Sequence, residues 1–74
     1  MHFQIVMDRN GDTRHEFDPA DQSSLATAEA RFHELTRRGF RAVALGKDGA
    51  PGELVRTFDS QTEQTLFIPQ LAGG

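Results

Sequence analysis

The stretch that decides the fold is SSLATAEARFHELTRRGF, residues 23–40, because it is where the apolar period changes. Leu25, Ala28, Phe32 and Leu35 recur at steps of three, four and three, which lines one face of an α-helix. Ala26, Glu29, Glu34 and Arg37 lie largely off that stripe, so the rest of the surface is polar. Glu34 and Arg38 have the spacing of a favourable helical ion pair, worth about 0.3 kcal/mol. Gly39 can take the left-handed backbone that ends a helix, and Phe40 can then fold back on the last turn. At the other end, Asp18, Asp21 and Ser23 are all competent N-caps, and Pro19 suits a turn or a first helical position.

On the N-terminal side of this helix the period is two. Met1, Phe3, Ile5 and Met7 alternate with His2, Gln4 and Val6, the pattern of a strand buried on one side. Asp8-Arg9-Asn10-Gly11-Asp12-Thr13 follows, and Asn-Gly tolerates the positive φ angles of a primed hairpin turn. A returning strand over 13–17 groups Thr13, His15 and Phe17 on one face, with Arg14 and Glu16 on the other. On the C-terminal side, 40–45 reads as a third strand and 46–52, dense in glycine with Pro51, as a loop. A fourth strand is expected over 53–58 and a fifth over 65–68, closed by Pro69.

The order hairpin, helix, strand, strand, strand implies a two-layer α+β domain, its one helix covering one face of a mixed four- to five-stranded sheet. The odd-numbered face of the first strand is expected to meet the helix, with Phe3, Ile5, Phe17, Leu25, Phe32 and Leu35 at the centre of the core. Residues 1–70 then form one domain and 71–74 a flexible tail. A chain of 74 residues builds little core, so a stability of only a few kcal/mol is expected.

Composition narrows the function. With no cysteine, neither a disulfide framework nor a thiolate zinc site is available, and a reducing compartment fits. No apolar run approaches the roughly 20 residues of a membrane span, and the N-terminus lacks the layout of a signal peptide. The expectation is a soluble, cytoplasmic monomer without a membrane partner. A net charge of −3, with both signs interspersed, argues against nucleic acid as the main partner. Arg37, Arg38 and Arg41 form the one basic cluster, explained better by the negative end of the helix dipole than by phosphate. His2, His15 and His33 lie on separate elements without ligand spacing, so no metal or other cofactor is expected. Asp8, Asn10 and Asp12 echo a calcium loop, but the glycine is one position early and no glutamate follows at the twelfth. No serine or threonine joins a histidine and an acid in a nucleophile arrangement, so the chain is not expected to be an enzyme.

Taken in order, these elements resemble ubiquitin and its β-grasp relatives, including prokaryotic modifiers and sulfur carriers, nearly end to end. Asn10-Gly11-Asp12-Thr13 stands where ubiquitin has Thr-Gly-Lys-Thr, and Phe17-Asp18-Pro19-Ala20-Asp21 is similar to its Val-Glu-Pro-Ser-Asp. Ala44-Leu45-Gly46-Lys47 resembles the Ala-Gly-Lys after its third strand. Thr65-Leu66-Phe67-Ile68 leading to Leu71-Ala72-Gly73-Gly74 is similar to its Thr-Leu-His-Leu strand and Leu-Arg-Gly-Gly tail. Ala72, Pro69 and Phe67 depart from the family, as does the short Gly39 link between helix and third strand.

The resemblance implies that the Gly74 carboxylate is adenylated by an activating enzyme and passed to a thioester or thiocarboxylate. A conjugating enzyme or a protease are further implied partners. Gly73 and Gly74 would pass a narrow cleft as bare backbone, with Leu71 the last side chain to grip it. Lys47, the one lysine, would be the acceptor if chains grow through lysine. The bland alternative for the tail is a frayed end. A second functional expectation is a non-covalent interaction module of the same fold, with Val6, Val43 and Phe67 as an apolar patch on the face away from the helix.

Overall fold

A computed structural model of the chain describes residues 1–46 and 52–69. Lys47 and the tail residues Leu71, Gly73 and Gly74 lie outside the described residues. The elements are β1 (His2–Asp8), β2 (Gly11–Phe17), α1 (Gln22–Arg37), β3 (Phe40–Leu45), β4 (Glu53–Val55) and β5 (Gln64–Pro69). The strands form one mixed sheet in the order β2-β1-β5-β3-β4. Within it β1 and β5 are parallel, and the pairs β1–β2, β3–β5 and β3–β4 are antiparallel. With one helix on the sheet and the order ββαβββ, the architecture is α+β and consistent with a β-grasp.

Local chemistry explains most of the boundaries. The hairpin turns at Arg9 and Asn10, with Asp8 opposite Gly11, and the left-handed backbone falls on Gly11 at φ 114°. The Asp8 carboxylate accepts the Asn10 N–H at 2.7 Å, so the Asp8 side chain builds the turn. Asp21 is the helix N-cap residue but its side chain makes no capping bond. Asp18 and Ser24 instead brace the entry: the Asp18 N–H donates to the Ser24 hydroxyl at 2.8 Å, and its carboxylate accepts the Ala20 N–H at 2.9 Å. At the other end Gly39 (φ 99°) donates its N–H to the Thr36 carbonyl, the expected left-handed stop. The ion pair of Glu34 forms with Arg37, one residue earlier than the expected Arg38, whose guanidinium lies 5.8 Å from the Phe40 ring centre.

The helix stripe forms as its spacing implies: Ala28, Phe32 and Leu35 are buried. What it meets differs from expectation. The odd face of β1 does not enter the core; Gln4 and Val6 do, beside Ala42 and Phe67 of β3 and β5. Phe3 and Ile5 lie on the opposite, helix-free face and are only half-buried. The choice is collective. Ala42 and Ala28, small and fully covered, let helix and sheet close up, and Phe32 and Phe67 fill the space beside them. The rings of Phe32 and Phe67 meet edge-on at 5.7 Å.

The fourth strand is shorter than expected and stops at Val55. Continued alternation would carry Phe58 to the same side as Leu54. Leaving the ladder early lets Phe58 pack against the rings of Phe17 and Phe32, at 6.0 and 5.9 Å. A turn held by Asp59, whose carboxylate accepts the Gln61 N–H at 2.9 Å, then returns the chain to β5.

Where β4 begins, Gly52 is pressed against β3. A Cβ there would clash with Val43 Cγ1 and stand 2.7 Å from the Ala44 carbonyl oxygen. Gly52→Ala is therefore expected to destabilise by about 1–3 kcal/mol, because the nearest backbone cannot give way. A urea titration of the variant against the unaltered chain checks this.

Candidate functional site

The two faces of the sheet have opposite character. On the helix-covered side a polar row crosses the middle: His15 of β2 pairs with Gln4 of β1, Gln4 with Thr65 of β5, and Thr65 with Ala44 of β3. Gln4 is fully buried. Its Nε2 donates to the Ala28 carbonyl at 2.9 Å, and its Oε1 accepts from Arg31 Nη1, also at 2.9 Å. One amide thus ties β1 to the helix backbone and orients a cationic side chain.

Partial burial, and to a lesser degree the charge of Arg31, lower the pKa of His15 from 6.5. Because the folded-state pKa lies below the unfolded one, the unfolded chain binds more protons between the two values. Stability is full above about pH 6.5, falls as pH drops toward the lowered pKa and flattens below it. His15→Asn should remove this part of the slope, measured as the melting temperature between about pH 7.5 and pH 5. An unchanged slope would mean that His15 does not titrate against Arg31.

On the helix-free side the corresponding row is apolar. Arg14 pairs with Ile5, Ile5 with Leu66, Leu66 with Val43, and Val43 with Leu54, a single line across all five strands. Phe3 and Leu45 flank it through Gln64 in the row below. In the row above stand the pairs Met7–Asp12 and Ile68–Arg41. Met7, Ile68 and Leu54 are 38%, 40% and 64% exposed. Arg14 caps the β2 end of the face, its guanidinium 4.9 Å from the centre of the Phe3 ring.

This arrangement corrects the expected patch. Val6 and Phe67 do not face away from the helix; both belong to the core beneath it. Val43 is where the patch was expected, but its neighbours are Leu66 and Leu54. The exposed face is hidden in the sequence because Phe3 and Ile5 read as core residues, and a core under one helix needs only one side of the sheet. Leu54 was the available signal: a large apolar residue between Glu53 and Val55 on a short strand.

The remaining candidates stay apart. Arg37 pairs with Glu34 on the helix, Arg38 lies against Phe40, and Arg41 stands on the helix-free face beside Ile68. His2 stacks edge-on with Phe17 at 5.4 Å, and His33 lies near Glu29 on the exposed side of the helix. Among the described residues no three potential metal ligands cluster, and no helix is long and apolar enough to cross a membrane. A groove of about 420 Å³ beside the β3–β4 edge is lined by Thr36, Phe40, Arg41, Leu54, Val55 and Arg56. Comparison of the chain with protein-family models, with curated proteins and with solved structures finds no match.

Proposed function

We propose that this chain is a ubiquitin-like modifier or carrier that works through the carboxylate of Gly74. The observation that supports the reading is the position of β5. It is the central strand of the sheet, parallel to β1, and Leu71-Ala72-Gly73-Gly74 follows within two residues of its end at Pro69. A tail rooted in the strand with neighbours on both sides has a firm base for presentation to a partner. In the reaction a carboxylate oxygen attacks the α-phosphorus of ATP and pyrophosphate leaves. A partner thiolate or sulfur donor then attacks the acyl carbon and AMP leaves, giving a thioester or thiocarboxylate. The chain supplies the acyl group and its partner supplies the catalysis.

Intact-mass measurement of the native protein tests whether Gly74 carries the free carboxylate. Incubation with ATP and an adenylating enzyme from the same cell should then exchange labelled pyrophosphate into ATP, and deletion of Gly74 should abolish the exchange. Full exchange by the deletion variant would sink the proposal.

The apolar helix-free face favours a second reading, a non-covalent interaction domain of the same fold. Under it, Leu54→Asp abolishes partner binding and removal of Gly73 and Gly74 changes nothing. Leu54 is the probe because it is 64% exposed, whereas Phe67 of the expected patch is buried.

A further inference from the structure

We infer that the helix-free face of the sheet is a self-complementary surface on which a second copy of this chain docks to form a twofold dimer. The largest contiguous apolar face of a small protein is often a site of interaction with another protein surface. Here it is built of Phe3, Ile5, Val43, Leu66, Leu54 and Ile68, on four adjacent strands.

The layout names the occupant. β5 is the middle strand of five, and Leu66 is the middle residue of the row Arg14–Ile5–Leu66–Val43–Leu54. A twofold axis in the interface, parallel to β5, lays β1 of one copy over β3 of the other and β2 over β4. Leu66 then meets Leu66 of the partner subunit, and Ile5 meets Val43 of the partner subunit. Arg14 comes over Leu54 of the partner subunit, at the rim.

Charge follows the same symmetry. The row that holds Asp12 and Met7 also holds Ile68 and Arg41, so acid and base lie on opposite sides of the axis. The operation brings Arg41 of the partner subunit over Met7, one strand spacing of about 4.8 Å from Asp12, across a gap of about 10 Å that both side chains bridge. Two such pairs form, one on each side of the axis. A self-complementary patch of this kind is what an isologous interface requires.

Size predicts the strength. Four strands about 4.8 Å apart and about 20 Å long, with the three-residue β4 half that length, present roughly 430 Å² per copy, so pairing removes about 900 Å² from water. That is below the standard size for specific association, and a weak, reversible dimer with a dissociation constant of about 10–100 µM is expected.

Sedimentation velocity on the full chain from about 5 to 500 µM tests the inference across the range where such a dimer forms. The expected result is a concentration-dependent shift from monomer to dimer. Asp12→Arg alone and Arg41→Asp alone should each weaken the dimer about tenfold, and the double variant should recover most of the loss. Both positions are exposed, so folding is not at risk. Leu66→Asp, checked for a native circular-dichroism spectrum, should be monomeric throughout. A monomer at every concentration, or losses that add in the double variant, would overturn the inference. Removal of Gly73 and Gly74 should leave the dimer intact, so the pairing and the tail chemistry stand or fall separately.

Discussion

Phe67→Ala is expected to leave the chain largely unfolded at 25 °C, whereas Leu66→Ala one residue earlier should leave it folded. Phe67 is fully buried on the central strand and touches Phe32 of the helix ring to ring. Truncating a buried phenylalanine costs about 3–5 kcal/mol, from lost transfer energy and the cavity left behind. A domain of this length with so small a core sits at the low end of the usual range, about 4 kcal/mol, so the loss consumes most of it. Relaxation offers little relief, because the neighbours that would have to collapse into the gap, Val6 and Ala42, are fixed in the sheet ladder. Leu66 faces the other side and is half-buried, so its truncation forfeits only part of a transfer term, about 1 kcal/mol. Urea titrations of both variants decide the matter. Midpoints in the reverse order would mean that the sheet faces its helix with the other side.

The second large effect is expected at Gln4, a polar residue whose replacement by alanine should cost about 2–4 kcal/mol. Two hydrogen bonds are lost, one to the Ala28 carbonyl and one from Arg31, each worth about 1 kcal/mol net. A void also opens beneath the helix at a position with no exposure. Gln4→Met refills most of the volume without restoring the bonds, so it should recover the cavity share only. Arg31→Ala should cost less than Gln4→Ala, because Arg31 is half-exposed and its acceptor can keep its other bond to the helix. A double-mutant cycle between Gln4 and Arg31 should return a coupling of about 1 kcal/mol. Additivity would show that the 2.9 Å contact contributes nothing to stability.

The two cases show how far local pattern reaches in this chain. The helix, its stripe, its glycine stop at Gly39 and the first hairpin were legible because each depends on residues within a few positions of one another. So was the grouping of Thr13, His15 and Phe17 on one face of β2, since strand alternation is local. The side of β1 that enters the core was not legible, because both of its faces carry apolar residues and either would satisfy the helix stripe. Gln4 was the misleading residue: an amide looks like a solvent-facing position until a carbonyl and a guanidinium from 24 and 27 residues away give its nitrogen and its oxygen one partner each. The apolar patch was misplaced for the same reason, Val6 and Phe67 passing to the core and Ile5 and Leu66 to the open face.

By itself, then, the sequence determined the element order, the helix-plus-sheet class and the candidate tail Leu71-Ala72-Gly73-Gly74, since turn chemistry, apolar period and residue order are written along the chain. Only the tertiary structure decided which sheet face lies under the helix. It likewise decided that Phe58 leaves the ladder to join Phe17 and Phe32, and that an apolar row from Ile5 to Leu54 stays open to solvent. The physical reason is that one helix covers one side of a sheet. Which side it covers is settled by volumes and hydrogen bonds summed over several strands, small Ala28 and Ala42 against large Phe32 and Phe67, and no single strand contains that sum.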